Sequence, residues 1–335
     1  TNNKMFHKYL TEAVVVPELV NGETVYHHVR LIDWETPENN DFLVVNQLEV
    51  IEKGQEKIPD IVLYVNGLPL VIAELKSTSR EEVDIEDAYK QLKNYMNVHI
   101  PSLFYYNAFL VISDGVQARA GTITAPLDRF MAWKKINIED DVIENRELET
   151  LIFGLFEPKR FLDVIKNFTL FANEAKIMAA YHQYYGMKKA VASTIQAIHT
   201  DKRAGVIWHT QGSGKSYSMV FLAGNLVRQE ELKNPTIVVI TDRNDLDGQL
   251  FETFCEASEF LRQTPLQAET RSHLKELLEH RKTGGIVFST IQKFEEETGL
   301  LSERENIIVM VDEAHRSQYG VDPKYDIETG EQKYG

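Results

Sequence analysis

Residues 205–216 read GVIWHTQGSGKS and residues 307–315 read IIVMVDEAH. In each, a short apolar run ends in residues suited to phosphate chemistry. Val206, Ile207 and Trp208 read as a buried strand, and Gly212-Ser213-Gly214-Lys215-Ser216 as a turn into an apolar helix over Tyr217 to Val227. Glycines let backbone N–H groups close on phosphate oxygens, and a helix N-terminus adds positive potential there. Lys215 is then placed to reach terminal phosphates and the Ser216 hydroxyl to hold Mg²⁺. Ile307 to Val311 reads as a strand delivering Asp312 as a Mg²⁺ ligand through water and Glu313 to orient the attacking water. His209 stands where the strict G-x-x-x-x-G-K-[ST] pattern has its first glycine. The Asp-Glu-Ala-His run about 100 residues downstream carries the assignment that the glycine loop alone does not. ATP and Mg²⁺ are therefore the expected cofactors.

The N-terminal half holds a second set. Pro59-Asp60 is followed by Glu74-Leu75-Lys76, with Asn66-Gly67 between them as a hairpin signal. Glu74 and Lys76 share a strand face, because side chains alternate. A two-residue loop with a regular ladder pairs residue 60 with 73, which parts the two carboxylates. A longer loop pairs 60 with 74 and unites them. Pro69 has no N–H for a ladder right after the turn, so the longer and bulged turn is expected. Two carboxylates at a strand end are hard ligands for Mg²⁺, and a neighbouring lysine stabilises charge on a phosphodiester under attack. Asp84 is a candidate helix N-cap, and Ala88, Gln91, Leu92 and Tyr95 recur on one helical face. That face aims Gln91 and Tyr95 at the hairpin, Gln91 to hold Lys76 or the scissile phosphate and Tyr95 to buttress it.

Around these sets, strands dominate early: Phe42 to Ile51, Asp60 to Val65, Pro69 to Leu75 and Phe109 to Ser113. Asn137 to Thr150, with six acids and one arginine, reads as a solvated connector, followed by helices over Glu147 to Phe156 and Pro158 to Asn167. From Gly205, strands near 205–209, 236–241, 286–290 and 307–311 alternate with helical stretches, the signature of a parallel sheet wrapped by helices.

The 335 residues suggest two domains, and 43% hydrophobic content is enough for a sizeable core. No apolar run approaches the roughly 18 residues of a membrane span. The single cysteine, Cys255, excludes an internal disulfide and fits a reducing cytoplasm. Net charge is −15, with 16 basic against 26 acidic residues up to position 160 and 20 against 25 beyond. Neither half is a basic nucleic-acid module on bulk charge.

The two sets, in this order, resemble the R (restriction and translocation) subunit of type I restriction endonucleases. Asn40-Asp41-Phe42, Val45-Asn46-Gln47, Asp60, Glu74-Leu75-Lys76, Gln91-x-x-x-Tyr95 and Leu110 to Gly115 are similar to its PD-(D/E)xK nuclease domain. Trp208 to Ser216, Thr241 to Asp247, Ser289 to Gln292 and Asp312 to Arg316 are similar to its first RecA-like motor domain of superfamily 2. The resemblance implies an α/β architecture: a mixed-sheet nuclease domain over 1–145, a helical connector over 146–175 and the motor domain over 176–335. It implies ATP-driven translocation of double-stranded DNA coupled to Mg²⁺-dependent cleavage away from the recognition site. It also implies methyltransferase (M) and specificity (S) subunits as partners, and no membrane. By the same resemblance Thr241, Arg243 and Thr290 face DNA phosphates, and Gln183 recognises adenine. The family's second RecA-like domain, with its arginine fingers, would lie past Gly335. Because such a finger is worth about 10³ to 10⁵ in rate, the chain alone is expected to bind ATP weakly, hydrolyse it poorly and not translocate. Two other readings start from the same residues. One is a stand-alone helicase–nuclease of DNA repair, and the other is a nucleotide-gated assembly module with an inert nuclease.

Overall fold

The computed structural model describes residues 2–76, 84–210, 212–241, 244–291, 301–314, 324–325 and 332–333, the last two pairs and 244–247 as backbone alone. The chain divides into two compact units, Thr1–Lys188 and Lys189–Gly335.

The first unit opens with helix α1 (Asn2–Glu12) and a two-stranded hairpin of β1 (Val14–Val20) and β2 (Glu23–Val29). Its centre is a five-stranded sheet. The members are β3 (Phe42–Asn46), β6 (Ile61–Val65), β7 (Leu68–Leu75), β8 (Phe109–Ser113) and β9 (Ala118–Gly121), in that spatial order. The small pair β4 (Val50–Glu52) and β5 (Gln55–Lys57) lies between β3 and β6 in sequence. Only β7 and β8 run parallel; every other pairing in the five-stranded sheet is antiparallel. The β7–β8 crossover contains helix α2 (Ile85–Asn94). Asp84 caps α2 as expected, accepting from Glu86 and Asp87 N–H in a capping box. Ile72, Leu92, Tyr95, Ile100 and Ile112 form the core between α2 and the sheet. Helices α3 (Glu147–Thr150) and α4 (Pro158–Asn167), the hairpin β10 (Thr169–Ala172) and β11 (Ala175–Met178), and the first turns of α5 (Tyr181–Ala197) complete this unit. A buried ammonium ties α1 down: Lys176 donates to Asn3 Oδ1 at 3.1 Å and to the Asn107 carbonyl at 2.7 Å.

The expected single strand over Phe42 to Ile51 is broken at Gln47, whose φ of +52° takes the backbone into the left-handed region. An apolar stretch cannot report such a turn, because strand propensity measures fit to a half-buried surface and not backbone continuity.

The second unit is a parallel sheet in the order β13 (Leu266–Gln267), β14 (Ile286–Thr290), β12 (Thr236–Thr241) and β15 (Ile307–Val311). Helix α6 (Lys215–Leu226) precedes β12, α7 (Asn244–Glu256) and α8 (Ser258–Leu261) lie between β12 and β13, and α9 (Arg271–Glu279) lies between β13 and β14. The strands at 236–241, 286–290 and 307–311 stand where the apolar periodicity puts them. The buried strand expected at 205–209 does not: residues 203–210 carry no regular structure, and Val206 and Trp208 are each 91% exposed. Among the described residues β15 pairs only with β12, so its far edge makes no ladder with this segment. Three apolar residues in a row specify burial only when a neighbouring strand supplies ladder bonds. No helix among the described residues is long and apolar enough to cross a membrane.

Candidate active sites

In the first unit the hairpin register decides the chemistry. The β6–β7 turn is two residues long, with Asn66 at φ +51° and Gly67 at φ +79°, the conformation of a tight hairpin turn. The longer loop expected from Pro69 is therefore not used. The register is corrected further along: Tyr64 faces Pro69 but Leu63 faces Val71, so Leu70 is a bulge. From there Ile61 faces Ala73, and the next pair along the ladder is Asp60 with Glu74. The carboxylates reach one face by a bulge, as expected, but within the strand pairing and not through a longer turn. A slip of one residue would have put them on opposite faces.

Asp60 is anchored twice: Oδ2 accepts from Leu75 N–H at 2.8 Å, and Oδ1 from Gln47 Nε2 at 3.2 Å. Gln47 also donates its backbone N–H to the Asp60 carbonyl at 2.9 Å, so the break in the strand serves this site. Periodicity gave Gln47 no role, and it entered the sequence reading only within Val45-Asn46-Gln47, one of the runs similar to the PD-(D/E)xK domain. Lys76 continues the ladder past β7 through N–H to the Ser113 carbonyl, which fixes its side chain on the Glu74 face. Its ammonium donates to Glu74 Oε1 at 2.9 Å and to Gln91 Oε1 at 2.5 Å. Gln91 Nε2 donates to Tyr95 Oη at 2.8 Å, which closes a Glu–Lys–Gln–Tyr chain. Structure and sequence expectation agree on which five side chains meet here.

Glu74 is 2% exposed, and its Oε2 is buried without a hydrogen-bond partner. Burial, opposed by Lys76 and reinforced by the Asp60 charge, pushes its carboxyl up to about 7. Two carboxylates with one ammonium and an orphaned oxygen form a donor set short of positive charge, and a hard divalent cation fits it. Among the described residues no group of three or more His, Cys, Asp or Glu side chains has metal-holding geometry, so any cation here would rest on two carboxylates and water.

In the second unit, Gly212 and Gly214 both sit at φ +80°, and Gly214 is the cap of α6. Lys215 and Ser216 form the first turn of that helix. A side chain built at Gly212 would meet nothing within 4 Å, so what this glycine supplies is its backbone conformation. Lys215 Nζ lies 2.5 Å from Glu313 Oε1 and 3.8 Å from Asp312 Oδ1. The Glu313 hydrogen bond holds the ammonium above its usual range, with Asp312 adding to it. Asp312 extends the sheet through N–H to the Ile240 carbonyl at 2.9 Å. Glu313 turns away at φ +49°, a strained conformation for a residue with a Cβ. Lysine, both carboxylates and the helix N-terminus thus converge as expected.

The remaining expectations fare differently. Thr241 and Thr290 are register partners at the carboxyl ends of β12 and β14, and each is 3% exposed, so neither hydroxyl faces solvent. Arg243 lies outside the described residues. Gln183 is buried, and its Oε1 accepts from Ala180 N–H at 2.9 Å, closing the start of α5.

Two protein families match the chain. That described as Type I restriction enzyme R protein N terminus covers residues 1–129, and that described as SWI2/SNF2 ATPase covers residues 182–331. The second unit is accordingly a superfamily 2 RecA-like ATPase domain. The Type I restriction enzyme HindI endonuclease subunit of Haemophilus influenzae is 50% identical over 338 residues, 96% of this chain and 32% of that protein. The putative type I restriction enzyme MjaIXP endonuclease subunit of Methanocaldococcus jannaschii is 37% identical over 95% of this chain and 32% of that protein. The SauCOLORF180P endonuclease subunit of Staphylococcus aureus is 28% identical over 88% and 31%. The chain spans about one third of the length of these relatives.

Proposed function

Because the chain belongs, over the third of their length that it spans, to the R subunits of type I restriction enzymes, we propose that it joins a DNA-cutting site to the first half of an ATP-driven DNA motor. The observation that carries the nuclease reading is the bulged hairpin: it sets Asp60 opposite Glu74 and leaves a Glu74 oxygen buried without a partner. The mixed sheet, with α2 covering the carboxylate face, is read as a PD-(D/E)xK nuclease. Asp60 and Glu74 would hold Mg²⁺, which when bound would polarise a phosphate oxygen and lower the pKa of a water. Lys76, fixed between Glu74 and Gln91, would orient the attacking water and stabilise charge growing on the phosphorus oxygens. Tyr95 holds the Gln91 amide so that its carbonyl stays on Lys76.

In the motor, incoming phosphates would exchange for Glu313 and Asp312 as partners of Lys215, releasing Glu313 to take a proton from water. Ser216 and Asp312 would hold the Mg²⁺ that accompanies the nucleotide. The complete subunit would act on double-stranded DNA with methyltransferase and specificity subunits in the cytoplasm. ATP hydrolysis would pump DNA, and cutting would occur away from the recognition site.

The test is plasmid cleavage by the full-length subunit assembled with those partners, with and without ATP. Cutting should require ATP and fail in both Lys76→Ala and Lys215→Ala, while ATP hydrolysis survives only in Lys76→Ala. Cutting that persists in Lys76→Ala would remove the nuclease assignment. Cutting indifferent to ATP and to Lys215 would uncouple the motor.

A further inference from the structure

In the first unit, α4, the start of α5 and the segment ahead of the short turn Pro37–Asn39 line a solvent-open cavity of about 450 Å³. That is the size of a small-molecule site. Its lining mixes one flat aromatic with clustered cations. Trp34 forms a wall, and the Lys166 ammonium lies over its ring, 5.4 Å from the centroid. Lys159 and Lys188 stand at the rim, both exposed. At the base, Asp163 accepts from Tyr184 Oη at 2.9 Å, Asn167 Nδ2 at 2.7 Å and Lys188 Nζ at 3.0 Å. These bonds hold the carboxylate inward. The cavity is also lined by Arg160 and Glu157, so its cations outnumber its carboxylates four to two. The unit as a whole, residues 1–188, has the opposite balance, 28 acidic to 19 basic residues. A local cationic pocket on an acidic unit concentrates anions there and not elsewhere on its surface.

We propose that this cavity receives a nucleotide unit, its base on the Trp34 indole and its phosphate between Lys166 and Lys159. Base stacking on an aromatic side chain combined with a cationic path for the phosphate is how strands are held without sequence preference. Phosphate is a stronger partner for Lys166 than the ring, and drawing the ammonium toward it opens the indole face to the base. An acidic peptide would use the lysines and leave the indole idle.

The position is informative. Asn66, at the β6–β7 turn, bonds the Leu31 carbonyl and Asn40 Oδ1, and Asn40 is bonded to Asp33 beside Trp34. The cavity therefore belongs to the turn end of the hairpin, whereas Asp60 and Glu74 stand at its opposite end. At roughly 3.3 Å per residue that is about 20 Å of strand. A nucleotide in the cavity is distinct from one whose phosphate meets Lys76. Its source is either a free nucleotide or one unit of a DNA strand.

The inference does not rest on the nuclease reading, and the experiment keeps the two apart. Binding of fluorescein-labelled dT₅ to the whole chain is followed by anisotropy in EDTA, with Lys215→Ala as the parent to silence the ATP loop. AMP and inorganic phosphate serve as competitors. Binding should weaken about tenfold in Trp34→Ala, recover in Trp34→Phe, and weaken with a shallower salt dependence in Lys166→Ala. Competition by AMP would assign free nucleotide as a ligand, and binding of the oligonucleotide alone would assign a strand. The proposal is overturned if the parent binds neither, if Trp34→Ala or Lys166→Ala binds like the parent, or if inorganic phosphate competes as well as AMP. Lys166→Ala decides the matter even if Trp34→Ala does not fold.

Discussion

The two active-site regions reach convergence by opposite means. In the first unit every functional side chain is held by the frame around it. Asp60 is held by Leu75 and Gln47, Lys76 by the sheet ladder, Gln91 and Tyr95 by a capped helix, and Glu74 is 2% exposed. In the second unit the glycine loop follows an exposed segment at 205–208, and Lys215, 40% exposed, is held by Glu313 and Asp312. The difference teaches where the strain of each site resides. Asp60 and Glu74 are close together with Glu74 buried, which favours a cation. The glycine loop keeps its lysine on the carboxylates of Glu313 and Asp312.

The sharpest way to break this comparison is to remove each lysine. Lys215→Ala is expected to lower ATP hydrolysis of the assembled subunit by about 10³-fold or more and Lys76→Ala to leave it within about twofold, measured as phosphate release. Loss of hydrolysis in both would mean the sites are not independent. Next, Gln91→Ala should reduce DNA nicking by about 10- to 100-fold, because Lys76 then loses one of its two anchors. Tyr95→Phe, which removes only the group that orients Gln91, should cost less. Equal losses would show that Tyr95 acts directly.

A third effect is on stability. Glu74 holds its proton up to about pH 7 in the fold, against an ordinary value of 4.5. Between those values the folded chain binds a proton that the unfolded chain has released. The contribution of this group is therefore full below about pH 4.5 and lost as pH rises through about 7. Glu74→Gln, which cannot ionise, should unfold at higher denaturant than wild type at pH 8, by on the order of 2 kcal/mol, with the gap closing toward pH 5. A gap independent of pH would mean the buried charge is already compensated. The smallest effect concerns backbone amides. In hydrogen exchange, β6 and β7 should stay protected with or without ATP, while residues 206–208 exchange rapidly and slow when ATP is added. Protection of 206–208 without nucleotide would erase the contrast between the two regions.

The sequence by itself determined more than the element list. Short apolar runs placed β8 and three of the parallel strands, Asp84 as a candidate N-cap announced α2, and the spacing of Ala88, Gln91, Leu92 and Tyr95 named the face that meets the hairpin. These are local signals: one residue's neighbours are enough to impose them. The tertiary structure alone decided three things. The bulge at Leu70 sets which side of the sheet Asp60 occupies, because register depends on how two strands pair and not on either strand. The left-handed turn at Gln47 recruits a second anchor for Asp60 from a stretch that reads as continuous strand. And Val206 to Trp208 stay exposed although their pattern asks for burial, because an apolar run becomes a strand only where a neighbouring edge accepts its hydrogen bonds.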